Sequence, residues 1–233
     1  MKYTTILWDA DNTLLDFGYS MRMALQAAFV HFGMDDFLDD EKIMAYDKIN
    51  NSWWKRLELG EVTKAELLNG RFVDFFRMYG ITDVMPEMYR EVFQVELGRH
   101  YSYIPGSKEV CQALQGKVKQ YVITNGVTAT QHSKLSASGF SDIMDGIFIS
   151  EQIGVNKPGK GFFDAVFAQI PEKDLSKILV VGDSLTSDIK GANNVGVDAC
   201  WFNPDGRSAG EEYRIIADIQ RLEQLFDVLK MEK

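Results

Sequence analysis

The apolar run Thr4-Thr5-Ile6-Leu7-Trp8 stops abruptly at Asp9-Ala10-Asp11. β-Branched and aromatic residues in such a run predict a buried strand. Two carboxylates then stand at its carboxyl end, and like charges so close repel and raise each other's pKa. The pair therefore asks for something positive to meet it. Further strand-like runs occur at Tyr121–Ile123, Ile147–Ile149, Ile178–Val181 and Ala199–Phe202. From Tyr121 onward these alternate with helically spaced apolar positions, as in Phe162, Phe163, Val166, Phe167 and Ile170, and again in Ile219, Leu222, Phe226 and Leu229. Apolar strands alternating with helices predict an α/β fold: a doubly wound, Rossmann-like parallel sheet covered on both faces.

Residues 18–98 follow another rule. Met21, Ala24, Leu25, Ala28 and Phe32 line one helix face, and helical patterns continue through Trp53/Trp54/Leu57 and Leu67/Phe72/Phe75/Phe76. No strand pattern interrupts them. The expected organisation is an α/β core from residues 1–17 and 99–233, with an all-helical domain, 18–98, inserted after the first strand. Its joints are expected near Asp16–Tyr19 and Gly98–Pro105. Ligands of open α/β sheets bind beyond the carboxyl ends of the strands. Asp9 and Asp11 stand at such an end, and the inserted domain leaves and returns beside them, so it is expected to cover them.

The next three strands deliver polar groups to that same edge. Thr124-Asn125-Gly126 follows the second, Lys157-Pro158 lies in the loop after the third, and Gly182-Asp183-Ser184-Leu185-Thr186-Ser187-Asp188 follows the fourth. Carboxylates from two strands form a hard-oxygen site suited to Mg²⁺. Such an ion would offset the repulsion between Asp9 and Asp11, and with Lys157 it would supply the positive charge that a phosphate dianion needs. Thr124 and the backbone N–H groups after it can donate to phosphoryl oxygens. Asp9 could then attack phosphorus as a carboxylate nucleophile, while Asp11 protonates the leaving alcohol and later accepts a proton from water.

Asp9-Ala10-Asp11-Asn12-Thr13-Leu14, Thr124-Asn125-Gly126, Lys157-Pro158 and Gly182–Asp188 resemble, in order, the four motifs of the haloacid dehalogenase superfamily. The resemblance covers the whole chain and implies that the inserted domain is a small helical cap. It implies Asp9 as nucleophile and metal ligand, and Asp11 as acid/base with its carbonyl on Mg²⁺. It further implies Asp183 as second carboxylate ligand, Asp188 acting through a metal-bound water or by orienting Lys157, and Thr124, Asn125 and Lys157 on the phosphoryl group. An acid two residues after the nucleophile separates the phosphatases from the dehalogenases, because halide leaves without a proton. Residues 52–72, with Asp9–Phe17, further resemble the bacterial pyrimidine 5′-nucleotidase branch, which hydrolyses nucleoside monophosphates such as UMP, dUMP and dTMP. That likeness makes Trp53, Trp54, Arg56, Glu58 and Arg71 candidates for base or sugar contact, with the Leu57–Thr63 turn directed at the core site.

Plainer readings stand beside these. Asp9, Asp11, Thr124 and Asp188 can cap helices or turns. One Trp of the Trp53-Trp54 pair is expected in the helical core, and Arg56, Glu58 and Arg71 fit a solvated, charge-paired face. A sugar-phosphate phosphatase, a phosphoglucomutase or a pyrophosphatase would use the same core residues, and a nucleotide- or phosphate-binding protein would use part of them. Gly154–Lys160 fits GxxxxGK, but Gly161 stands where a P-loop needs a hydroxyl for Mg²⁺. Asp16-Phe17-Gly18 lacks the other kinase signatures.

The totals narrow the class. With 233 residues, 45% of them hydrophobic, the chain can bury a large core. No apolar stretch approaches the roughly 18 residues of a membrane span, and the N-terminal run is too short for a signal peptide, so a cytoplasmic protein is expected. A net charge of -9 repels nucleic acid polymers. The expected partner is a small phosphorylated metabolite, with the chain a monomer or weak homodimer and no membrane attachment. Cys111 and Cys200 lack metal or redox spacing and are expected as buried thiols. The three His residues show no ligand spacing, and the ten Met residues are expected as core filler.

Overall fold

The structure, a computed structural model, describes residues 2–230. Met1 and residues 231–233, the ends of the expected core segments, lie outside the described residues. The chain divides into two compact units, one of Met1–Phe17 with Ser102–Lys233 and one of Gly18–Tyr101.

The elements run β1 (Thr5–Trp8), α1 (Phe17–His31), α2 (Asp40–Glu58), α3 (Lys64–Tyr79), α4 (Pro86–Arg99), α5 (Ser107–Leu114), β2 (Lys119–Thr124), α6 (Thr128–Ala137), α7 (Phe140–Ile143), β3 (Gly146–Ile149), α8 (Ser150–Ile153), α9 (Lys160–Gln169), β4 (Ile178–Gly182), α10 (Lys190–Asn194), β5 (Asp198–Phe202), β6 (Ala217–Ile219) and α11 (Leu225–Leu229). The strands form one parallel sheet in the order β3-β2-β1-β4-β5-β6. β1 is central, and all four of its residues are buried between β2 and β4. The chain builds outward from β1 through β2 to β3, then crosses to β4, so the order reverses at β1, where open α/β sheets form their binding crevice. Trp8 stands level with Val122 of β2 and Val181 of β4. That register brings Asp9, Thr124 and Asp183 out at one edge of the sheet. Around β4, Val180, Phe162, Phe163, Val166, Ile189 and Trp201 pack into the core.

The C-terminal periodicity misled in one place. Ile219 ends the short strand β6 instead of opening a helix, and α11 begins only at Leu225 after a 3₁₀ turn. Pairing with β5 decides the matter, because Phe202 stands level with Ile219 and both are buried.

The helical unit is held by an aromatic cluster. Phe29 of α1 packs on Phe75 and Phe76 of α3 and Tyr89 of α4, and Tyr46 of α2 stacks on Phe72 with ring centroids 5.3 Å apart. Thr63 and Glu66 form a capping box that starts α3, and Asp39 caps α2. Where α2 crosses α3, Trp53 lies on Gly70: a Cβ at Gly70 would come within 2.3 Å of the indole ring. Gly70→Ala gains about 1 kcal/mol of helix propensity but forces the ring out of place, an overpacking cost of about 1–3 kcal/mol. We expect a net loss of stability, read as a lower urea midpoint with unchanged m-value; an unchanged or raised midpoint contradicts this packing.

Both cysteines are buried, unpaired thiols, and burial pushes Cys200 up to about 12. The methionines are not uniformly core filler. Met21 and Met144 are buried, whereas Met44, Met78, Met85 and Met88 are exposed on the helical unit.

Candidate active site

Leaving β1, the backbone turns sharply. Asn12 adopts a left-handed conformation with φ 64°, tolerable for Asn. Both Leu14 and Leu15 donate their N–H to the Ala10 carbonyl, and Asn12 Oδ1 accepts from the Phe17 N–H. This turn holds Asp9 against the sheet, where its own N–H donates to Val181 O at 2.9 Å, and turns Asp11 to another side.

Lys157 is the centre of the site. Its side chain is 1% exposed, and its ammonium donates to Asp9 Oδ1, Asp188 Oδ1 and the Ile123 carbonyl, each at 2.7 Å. These use all three N–H donors of a lysine, so a phosphoryl oxygen reaching it must share a donor or replace an acceptor. Burial opposes the charge, but Asp188 and Asp9 outweigh it and hold the ammonium above the ordinary lysine range. Asn125 positions the lysine: its Oδ1 accepts from the Lys157 N–H and its Nδ2 donates to the Lys157 carbonyl, both at 2.9 Å. Of the expected phosphate-binding groups, Asn125 is thus placed beside Lys157. Its amide is committed to Lys157, leaving only its main-chain N–H for phosphate. The Lys157-Pro158 peptide bond is cis.

Carboxylate oxygens of Asp9, Asp183 and Asp188 all lie within 4.8 Å of one another. Asp188 is fixed twice, by Lys157 and by the Ser184 N–H, which donates to its Oδ2 at 3.1 Å. Thr13 reaches Asp183 at 3.5 Å. Burial, then Asp188, pushes Asp9 up to about 7 despite Lys157; burial, then Asp9 and Asp188, pushes Asp183 well above the carboxylate range. One ammonium is thus too little charge for three carboxylates, and a set of hard oxygen donors short of positive charge fits a divalent cation such as Mg²⁺. A consequence is measurable. A carboxyl whose pKa rises on folding binds more protons folded than unfolded, so metal-free stability falls as pH rises from about 4 to about 7. Mg²⁺ is expected to raise Tm more at about pH 8 than at about pH 5. An equal shift at both, by calorimetry with and without chelator, would refute the charge argument.

Thr124 is buried at the end of β2, and its Oγ1 accepts from the Gly126 N–H at 3.0 Å, leaving the hydroxyl hydrogen to donate. The carboxylate of Asp11 is outside the acidic cluster. It is gripped by two residues of α6 that sequence reasoning missed: Gln131 Nε2 donates to Oδ2 at 2.5 Å, and the buried Lys134 ion-pairs with Oδ1. Gly126 makes room, since a Cβ there would lie 2.1 Å from Gln131 Nε2. The available signal was the helix after Thr124-Asn125-Gly126, on which Gln131 and Lys134 are three apart and share a face.

The candidates of the helical unit separate. Trp53 is half-buried on Gly70 and its Nε1 donates to Asp74 at 2.9 Å. Trp54 is also half-buried. Arg56 lies over the Trp53 ring and near Glu61, a charge-paired surface residue as the plainer reading has it; Glu58 ends α2. Arg71 departs from that reading, being 1% exposed with no acid within ion-pair distance among the described residues.

Comparison with known proteins gives the family. Residues 3–196 match the haloacid dehalogenase-like hydrolase family. The chain is 34% identical to YfnB of Bacillus subtilis over 99% of this chain and 97% of that one. It is 33% identical to the pyrimidine 5′-nucleotidase YjjG of Escherichia coli, covering 97% and 98% of the two chains, and 32% identical to the pyrimidine 5′-nucleotidase PynA of Streptococcus pneumoniae, covering 98% and 96%. The crystal structure of YfnB bound to magnesium superposes with a TM-score of 0.93, covering 99% of this chain and 100% of that one.

Proposed function

This chain belongs to the haloacid dehalogenase-like hydrolase family, and we propose that it hydrolyses phosphomonoesters through a phosphorylated Asp9, with pyrimidine nucleoside 5′-monophosphates as preferred substrates. The observation that carries the chemistry is the buried Lys157 joining Asp9 to Asp188, beside Asp183 and with Asp11 two residues from Asp9. A binding protein needs no such acid/base pair. The substrate preference is supported by the two pyrimidine 5′-nucleotidases matched along nearly their whole length.

Thr124 and Lys157 receive the phosphoryl oxygens. An Asp9 oxygen attacks phosphorus as the bond to the leaving oxygen breaks, and the Asp11 carboxyl, turned from Gln131 and Lys134 toward that oxygen, gives it its proton. Water then attacks phosphorus, Asp11 takes its proton, and the Asp9–phosphorus bond breaks to release inorganic phosphate. Asp9, Asp183 and the Asp11 carbonyl would hold Mg²⁺, with Asp188 behind them; when bound, the ion supplies positive charge to the phosphoryl oxygens and the carboxylates. A small phosphorylated metabolite as substrate fits a cytoplasmic enzyme, and no helix among the described residues is long and apolar enough to cross a membrane.

A sugar-phosphate substrate is the second reading, favoured by a 29% identical relative, the ribulose-1,5-bisphosphate 5-phosphatase of Halopiger xanaduensis. Phosphate release with Mg²⁺ or chelator decides between them, measured across UMP, dUMP, dTMP, CMP, AMP, GMP, sugar phosphates and pyrophosphate. We expect Mg²⁺-dependent release, highest from the uridine and thymidine monophosphates. Release mainly from sugar phosphates or pyrophosphate would overturn the nucleotidase reading and keep the chemistry; no release at all would overturn both.

A further inference from the structure

Arg71 is a buried cation with no counter-charge within ion-pair distance among the described residues. It extends from α3 into the helical unit, and the sole hydrogen bond of its guanidinium among the described residues runs from Nη1 to Asn50 Oδ1 at 2.7 Å. The charge is otherwise met by the faces of Phe72 and Phe93, 5.1 and 5.3 Å from the guanidinium carbon to the ring centroids. Burial lowers its pKa, and Arg90 nearby adds like charge. Among the described residues Arg71 Nε and Nη2 have no partner, nor do Asn50 Nδ2 and the Tyr46 hydroxyl, and each of these atoms is buried. Asn50 and Tyr46 are one turn apart on α2 and are 1% and 0% exposed.

The chemistry of the unused groups is one-sided. Nε and Nη2 form the side-on edge of the guanidinium, two parallel N–H donors that match two coplanar oxygens. The amide nitrogen of Asn50 donates only, and the Tyr46 hydroxyl can donate. A polar atom buried without a partner is costly, and a buried unpaired charge more so. Water could satisfy the N–H groups but would not neutralise the charge.

We propose that Arg71, Asn50 and Tyr46 form an oxyanion-binding subsite in the helical unit, taking a group with two coplanar anionic oxygens, a carboxylate or a phosphate. The subsite stands on this cluster alone and not on the reading of the catalytic centre. Removing the cation should not by itself unfold the chain, since a buried charge without a counter-charge is itself costly to the folded state. The subsite is therefore testable in Arg71→Met.

The test is the thermal midpoint of the whole chain under chelation, titrated with formate, acetate, phosphate or bromide. Wild type should gain stability saturably with a two-oxygen anion, roughly 3–5 °C at tenfold its dissociation constant, and little with spherical bromide. Arg71→Met should have an unshifted or higher midpoint without anion and lose most of the gain. Anion binding at the core site is common to both chains and cancels in the difference. Arg71→Lys, which keeps the charge without the fork, should lose selectivity over bromide, and Tyr46→Phe should weaken the response without abolishing it. A response to formate and acetate assigns a carboxylate, and a response confined to phosphate assigns a phosphate ester. Equal responses in wild type and Arg71→Met would overturn the proposal. If Arg71→Met fails to fold, unchanged responses in both Arg71→Lys and Tyr46→Phe would overturn it equally.

Discussion

Asp9→Asn is expected to lower phosphate release by about 10⁴-fold or more while leaving the fold intact. The amide keeps the shape of the carboxylate but cannot form an acyl phosphate. Nor should it destabilise the chain. In the metal-free protein Asp9 is one of three crowded carboxylates, held up to about 7 by burial and by Asp188. A neutral side chain removes one repulsion, and Lys157 keeps Asp188 as its counter-ion. The thermal midpoint without Mg²⁺ should therefore match wild type or exceed it near neutral pH, and its response to Mg²⁺ should shrink. Turnover within tenfold of wild type would remove Asp9 as nucleophile.

Lys157→Met should be the most destabilising single change in the core. It strands Asp9 and Asp188 without their cation and leaves the Ile123 carbonyl without that donor. Breaking a buried ion pair from one side costs about 3–5 kcal/mol, which for a chain of this size corresponds to a fall of roughly 6–20 °C in Tm. The loss should be partly recovered by adding Asp188→Asn, because the second change removes the stranded charge. Lys157→Arg should not restore the site, since a planar fork cannot direct donors to three acceptors around one point. A loss of less than about 1 kcal/mol in Lys157→Met would mean that the lysine is not holding these carboxylates together.

Much of the core was legible because its signals are local. Apolar runs at Thr5–Trp8 and Ile178–Gly182, in a chain that alternates strands with helices, point to buried parallel strands, and the residues after each strand emerge at the same edge. That is why Asp9, Thr124, Lys157 and Asp183 could be grouped from sequence. The missed features depend on partners that periodicity does not report. Ile219 alternates like a helix residue, yet pairing with Phe202 makes it a strand. Gln131 and Lys134 look like the polar face of a helix until the turn at Asn12 sends Asp11 to meet them. Arg71 reads as a surface charge like Arg56. Its place where α3 meets Asn50 of α2 instead buries it with a single hydrogen bond, while Arg56 stays at the surface beside Glu61.

The most direct measurement is chemical capture of the intermediate on Asp9. Enzyme quenched during turnover of a nucleoside monophosphate is treated with borohydride, which reduces an acyl phosphate to the alcohol, and the peptides are read by mass spectrometry. Substrate-dependent reduction confined to the side chain of Asp9 is expected, and none in Asp9→Asn. Full turnover with no reduction at Asp9, or with reduction at another carboxylate, would contradict a phosphorylated Asp9.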